Sequence, residues 1–384
     1  MPEFYSSESV LVAPIAGQAL GRMHDFEARH ETADLKRCLA TIGLFGTAGK
    51  PGEVCDWRAA ELPRIEAALE QRGLREVVDV YNPRKPVWKV EDAAIEAHNL
   101  ALDASIVLPV LDLTTAHGGL AETGFGALSG TLRPQKVTLF IESGVDFGES
   151  VRRARALTSL IAQKTLKDFP INVTIAPDLQ TMIDQGVRDV CDFVERAASR
   201  VNHSARYRIQ RRTDLQPQIA LVGSGAKRYE NSWYEGMQAR LRYADVPEAE
   251  QYSAYVKDWT FDDALVELEH KTNDAVVLFS VTEDQDSFGA MGELGWLMTY
   301  CVLNGQRLGI YVEKHKSDDQ SDQNRQRKLA MTHLGRHLLD FPDLPVFIAN
   351  SPGELARYGA TELAKYKQLQ RASRIANGGG SDVA

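Results

Sequence analysis

Short apolar runs alternate with longer amphipathic stretches along most of the chain, and the alternation is written twice. In the first half the runs are Ala40 to Thr47 (ATIGLFGT), Val77 to Pro83 (VVDVYNP), Ser105 to Leu113 (SIVLPVLDL), Val137 to Ser143 (VTLFIES) and Ile171 to Ala176 (INVTIA). Their length and Val/Ile/Leu content suit strands covered on both faces. Between them, helical spacing predicts a helix from about Asp56, with Trp57, Leu62, Ile65 and Leu69 on one side and Gly73 as a stop. Further helices are expected from about Val90 to Ala101, from near Leu120, from about Glu149 to Asp168, and on to about Ser199. The order returns from Ile219: IALVGS, AVVLFSV (Ala275 to Val281), LGIYVE (Leu308 to Glu313) and PVFIAN repeat the first-half strands. Such alternation predicts parallel strands joined by right-handed crossovers, with helices on both faces. Each half is therefore expected to be a small doubly wound α/β domain. The expected boundaries are 1–41 for an N-terminal arm, 42–201 and 219–371 for the two domains, 202–218 for a polar, basic linker and 372–384 for a disordered tail.

The duplication is clearest in its acidic and aromatic positions. Trp88 and Glu96 are separated by 8 residues, as are Trp259 and Glu267; Glu96 and Asp103 by 7, as are Glu267 and Asp274. Asp103 and Glu122 are separated by 19, as are Asp274 and Glu293; Glu122 and Glu142 by 20, as are Glu293 and Glu313. Two of these intervals span loops, where chance agreement is least expected. The tripeptide Asp168-Phe169-Pro170 also recurs, as Asp340-Phe341-Pro342.

Composition narrows the function classes. Hydrophobic residues make up 43% and charged residues 25% of 384, which suits a globular protein with a large core. A formal net charge of −9 and a pI near 5.6 argue against sequence-independent nucleic-acid binding, and the basic stretch Arg206 to Arg212 reads as a solvated linker. Four dispersed cysteines, with no CxxC, suggest neither a disulfide framework nor a zinc site. No run reaches membrane-span length and the N-terminus lacks a signal-like pattern, so a cytoplasmic protein is expected.

Ligands of parallel α/β sheets sit outside the carboxyl ends of the strands. That rule gathers Gly46, Thr47, Tyr81 to Pro83, Asp112 to Thr115 and Ser143 on one rim, with Glu122 at the start of the following helix. Glycines at 46, 49 and 52 would let the backbone approach a ligand. Glu122 stands in a Gly-Gly-Leu-Ala-Glu-Thr-Gly context and Glu293 in Gly-Ala-Met-Gly-Glu-Leu-Gly. A carboxylate near a helix start is held as an anion by unpaired N–H groups, suiting either a helix cap or a nucleophile; its recurrence at the rim favours the second. Glu96 suits an acid in the site or an exposed ion pair, and Asp103 the end of a helix. Trp88 and Tyr81 can stack on a planar base or pack the core.

Gly46-Thr47, Trp57-Arg58, Tyr81-Asn82-Pro83, Trp88, Glu96, Asp103 and Ala-Glu122-x-Gly, in that order, resemble the nucleoside 2-deoxyribosyltransferase-like family. The resemblance covers about Ile42 to Ser143 well and Ile219 to His315 less well. It implies a flavodoxin-like, Rossmann-type fold in each half and cleavage of an N-glycosidic bond without a metal or redox cofactor. It also implies Glu122 as nucleophile, Glu96 or Asp112 as the acid that protonates the leaving base, and Gly46, Thr47, Trp57, Arg58, Tyr81, Asn82, Trp88, His117 and Gly119 around the substrate. A second site would use Gly223, Ser224, Trp233, Trp259, Glu267, Asp286 and Glu293. The family's aspartate six residues before the nucleophile is replaced by Ala116, and by Ser287 in the second half. Hydrolysis is therefore as well supported as transfer. The expected partner is a nucleoside or nucleotide, with NAD as one candidate; the alternatives are an NAD glycohydrolase and a non-catalytic nucleotide sensor. A homo-oligomer that shares residues across an interface is one arrangement, and pairing of the two halves is the other. A dinucleotide-dependent oxidoreductase is disfavoured, because Arg228 stands at the third glycine of GxGxxG after Ile219 to Gly225.

Overall fold

A computed structural model describes residues 40–47, 57–83, 96–97, 99–100, 103, 105–111, 117–133, 135–142, 149–197, 212–223, 233–256, 260–282, 288–313 and 322–378. They form two five-stranded, wholly parallel sheets with interleaved helices. The first sheet contains β1 (Ala40–Leu44), β2 (Val78–Tyr81), β3 (Ser105–Val110), β4 (Lys136–Ile141) and β5 (Val173–Ile175), in the order β2-β1-β3-β4-β5. The second contains β6 (Gln216–Gly223), β7 (Gln251–Ser253), β8 (Asp274–Val281), β9 (Arg307–Val312) and β10 (Val346–Ala349), in the order β7-β6-β8-β9-β10. Each half thus has the flavodoxin-like strand order 2-1-3-4-5, and the two are consistent with tandem doubly wound domains. The central strands β3 and β8 are buried at every position, as their unbroken apolar sequences require.

The helices of the first half are α1 (Trp57–Gln71), α2 (His117–Leu132), α3 (Glu149–Asp168) and α4 (Leu179–Ala197). Those of the second are α5 (Trp233–Tyr243), α6 (Phe261–Asn273), α7 (Phe288–Asn304), α8 (Asp322–Asp340) and α9 (Pro352–Gly378). Strand β1 begins at Ala40 and β6 at Gln216, each slightly ahead of the composition-based boundary. Helix α9 runs to Gly378, into the stretch expected to be a disordered tail. Its last turns bury little, since Ile375 is 75% exposed, so local helix propensity rather than packing carries them. Most of the expected 1–41 arm and of the helix at 90–101 lies outside the described residues.

One hydrophobic core continues from the first sheet into the second, through α2 and α7. The two helices touch backbone to backbone. A Cβ added at Gly124 would lie 2.4 Å from Trp296 N, and one added at Gly295 would lie 2.4 Å from Gly124 C and Phe125 N. Trp296 Nε1 donates to Thr123 Oγ1 at 2.9 Å across the contact. Phe125 stacks on His333 of α8, with ring centroids 4.7 Å apart. Tyr300 donates to Asp168 Oδ2 at 2.8 Å, tying α7 to the end of α3. The glycine of the Glu-x-Gly segment, which the sequence pattern placed beside the chemistry, serves this contact.

A methyl group at position 124 has nowhere to go, because its neighbours are main-chain atoms. Gly124→Ala should lower the free energy of unfolding in urea by about 1–3 kcal/mol or more, as overpacking does. In Gly126→Ala the added methyl meets Val137 at an ordinary 3.5 Å, and the helix gains up to about 1 kcal/mol from the loss of backbone freedom, so that variant should be neutral or slightly stabilised.

Candidate functional site

The rim of the first sheet is built around a sharp turn after β1. Gly46 has φ +87°, and a Cβ there would fall 2.3 Å from Pro109 O, so the residue must lack a side chain. Thr47 N donates to Pro109 O at 2.9 Å, and Thr47 Oγ1 accepts from Leu111 N at 3.0 Å, which anchors the turn to β3. Arg58, fully buried at the start of α1, clasps the turn from behind. Its Nε donates to Leu44 O at 2.7 Å, Nη1 to Thr47 O at 3.0 Å and Nη2 to Gly46 O at 2.9 Å. Trp57 Nε1 also reaches Thr47 O, at 3.0 Å, and the Arg58 guanidinium lies over the Trp57 ring. Trp57 and Arg58, expected around the substrate, are directed here into the protein's own turn.

Glu122 meets this turn from α2. Its Oε2 accepts a hydrogen bond from Gly46 N at 3.0 Å. Gly119, one turn earlier, lets the helix start against the loop: a Cβ there would be 3.1 Å from Thr47 N. Glu122 sits in the second turn of α2, so its anion is not held by that helix's free N–H groups as the sequence suggested. Burial pushes its pKa up to about 7, against the opposing pull of Gly46 N–H and the Arg58 charge. The group is thus poised between its two forms near neutrality.

Tyr81, at the end of β2, gathers the other groups. Burial raises its pKa, and the negative charges of Glu96, Asp103 and Glu122 add to the shift while a hydrogen bond from Asn99 opposes it. Its ring packs 5.7 Å from that of Phe45. Glu96 is buried on the helical turn that also carries Asn99, and Asn82 is half-buried just beyond β2. Asp103 lies deeper. Its Oδ2 has no hydrogen-bond partner and would be 2.2 Å from a Cβ at Gly43, in the middle of β1. Burial, and then the charge of Asp79, push its pKa well up, as suits a carboxyl held among the strands for structure.

The second half keeps the plan and changes the contents. Gly223 turns with φ +112°, 2.3 Å from Ser280 O on the same test, and Tyr234 OH donates to Gly223 O at 2.9 Å from the place of Arg58. Gln306 Nε2 bonds Lys271 O and Asp274 O at 3.0 and 2.6 Å, as Gln135 Nε2 bonds Leu100 O and Asp103 O at 3.1 and 2.7 Å. Lys271 therefore stands where the first half has Leu100. Its Nζ contacts Glu293 Oε1 at 2.6 Å and Glu267 Oε1 at 2.7 Å, with all three side chains buried. Burial works against the ammonium, but the two carboxylates outweigh it and its pKa is raised. Asp274 accepts from His270 Nδ1 at 3.1 Å, and the imidazole stacks on Tyr252 at 3.7 Å. Trp233 packs on Tyr234 with rings 5.1 Å apart.

Five of the expected site residues, Trp88, Asp112, Ser224, Trp259 and Asp286, lie outside the described residues, as does the His117 side chain. Lys271 was missed by sequence reasoning. The available signal was a lysine four residues after Glu267, at a position where the first half is apolar. No described helix is long and apolar enough to cross a membrane, and among the described residues no three His, Cys, Asp or Glu side chains group as metal ligands would. No protein-family model and no curated protein matches the chain.

Arg58 supplies charge and three hydrogen bonds at once. Arg58→Met should cost about 3 kcal/mol or more, because buried carbonyls lose their donors. Arg58→Lys should recover less than half of that, since one ammonium cannot span three carbonyls in a fork. Denaturant midpoints of the two variants against the native chain measure both.

Proposed function

We propose that the first half cleaves or transfers an N-glycosidic bond of a nucleoside or nucleotide, with Glu122 as the nucleophile. The observation that carries this reading is a buried carboxylate at the carboxyl edge of a parallel sheet, held by one backbone N–H and poised near neutrality. It is supported by the ordered motif set that resembles the nucleoside 2-deoxyribosyltransferase-like family, all within the better-matched half.

In the reaction, a Glu122 oxygen forms a bond to the anomeric carbon while the carbon–nitrogen bond breaks and its electron pair leaves with the base. The base takes a proton from an acid of the site. Glu96, grouped with Glu122 about Tyr81, is the described candidate; Asp112, the other, lies outside the described residues. Water or a second base then attacks the sugar ester and frees Glu122. This is the two-step logic of retaining glycosidases applied to a furanose. Arg58 and Gly46 N–H keep part of the Glu122 population ionised at neutral pH, despite its burial.

Glu122→Gln should abolish release of free base from a panel of nucleosides, nucleotides and NAD, followed by chromatography. Full activity in that variant would overturn the reading; tight binding without product from the native chain would mark a sensor. The pH dependence adds a second check. The nucleophile must be ionised, so the acid limb of the pH–rate profile should rise with an apparent pKa near 7, and the rate should fall again where the proton-donating acid ionises. Stability should run the other way. A carboxyl whose folded pKa exceeds its unfolded value near 4.5 stabilises fully below that value, and the contribution is lost as pH rises through about 7.

A further inference from the structure

We infer that the second half carries a built-in occupant: the Lys271 ammonium fills the place between Glu267 and Glu293, leaving one ligand-accepting centre per chain, in the first half. This rests on reading Glu122 as the reacting group of that centre, and it concerns which copy works.

The two halves hold the same carboxylates and move the cation. In the first half the positive charge belongs to Arg58, which sits behind the Gly46 turn and donates hydrogen bonds to the carbonyls of Leu44, Gly46 and Thr47. The residue on the helix side of the carboxylates is Leu100, which is apolar and buried. In the second half Tyr234 takes over the carbonyl of Gly223 with a neutral hydroxyl, so the residue in the place of Arg58 carries no charge. Lys271 restores it from the helix side, at the position of Leu100, and contacts both carboxylates directly at 2.7 and 2.6 Å. Two substitutions, Arg to Tyr and Leu to Lys, thus keep the charge balance and change its geometry.

The geometry decides accessibility. A cation behind the turn stabilises the anion without standing between it and the second carboxylate. A cation between two carboxylates occupies that place, and its side chain is only 2% exposed. Displacing it would strip a buried ion group of its partner and leave uncompensated charge in the interior. Glu293 is therefore a structural counter-ion on α7, although it holds the same rung of the ladder as Glu122.

The test uses the full chain with glutamate side chains labelled for carboxyl NMR. The native protein should show one carboxyl titrating near pH 7, absent from Glu122→Gln and retained in Glu293→Gln. The charge-balanced variant Tyr234→Arg/Lys271→Leu, which gives the second half the first half's arrangement, should show a second. A second neutral-range carboxyl in the native chain, lost in Glu293→Gln, would overturn the inference. That comparison stands even where the double variant does not fold. Base release gives an independent arm: Glu293→Gln should keep the native rate within twofold, and a tenfold loss with the fold intact by circular dichroism would also overturn it. A native chain that releases no base would instead sink the glycosidic reading, while the titration still decides whether the second centre is closed.

Discussion

Helices α2 and α7 can meet only because Gly124 and Gly295 have no side chains, and the rest of the molecule is arranged around that contact. With backbones this close, the two helices act as a shared wall between the sheets. Glu122 and Glu293 lie two residues before these glycines, so the wall sets the depth at which each carboxylate meets its strand-end turn. Architecture and chemistry are coupled through one short segment. A shift of either helix would move a carboxylate away from its turn as surely as it would open the core.

The order of elements was legible in the sequence because strands covered on both faces must be continuous apolar runs, and this chain has nine of the ten in plain view. Helix α3 occupies the span its periodicity predicts, Glu149 to Asp168. The ladder of matched intervals was legible for a related reason: loops of equal length between equivalent residues require equivalent connections. What the interval could not reveal was company. Glu122 and Glu293 have the same spacing, yet one meets a backbone N–H and the other an ammonium. Lys271 lies in the last turn of α6, where a lysine is unremarkable by pattern because it suits the helix dipole. Only the tertiary fold turns it toward two acids.

Arg58 was expected around the substrate from its place beside the turn. An arginine beside a glycine-rich turn reads as a ligand contact, because its planar fork suits carboxylates and phosphates. Here the same fork matches three converging carbonyls of the turn itself. The expectation for Glu122 likewise followed helix electrostatics, whereas desolvation is the larger effect at this depth. In both cases burial decides what surrounds the charged group.

The bonds across the α2–α7 wall differ on its two sides. Trp296 donates its indole N–H to Thr123, while Phe125, at the equivalent place in the first half, stacks on a histidine. Two copies of the second half, docked the same way, would face Trp296 with Leu294, the counterpart of Thr123, and leave the indole without an acceptor. Two first halves would offer Phe125 no His333. The contact is thus asymmetric in its chemistry: a hydrogen-bonded indole on one side answers a stacked phenyl ring on the other.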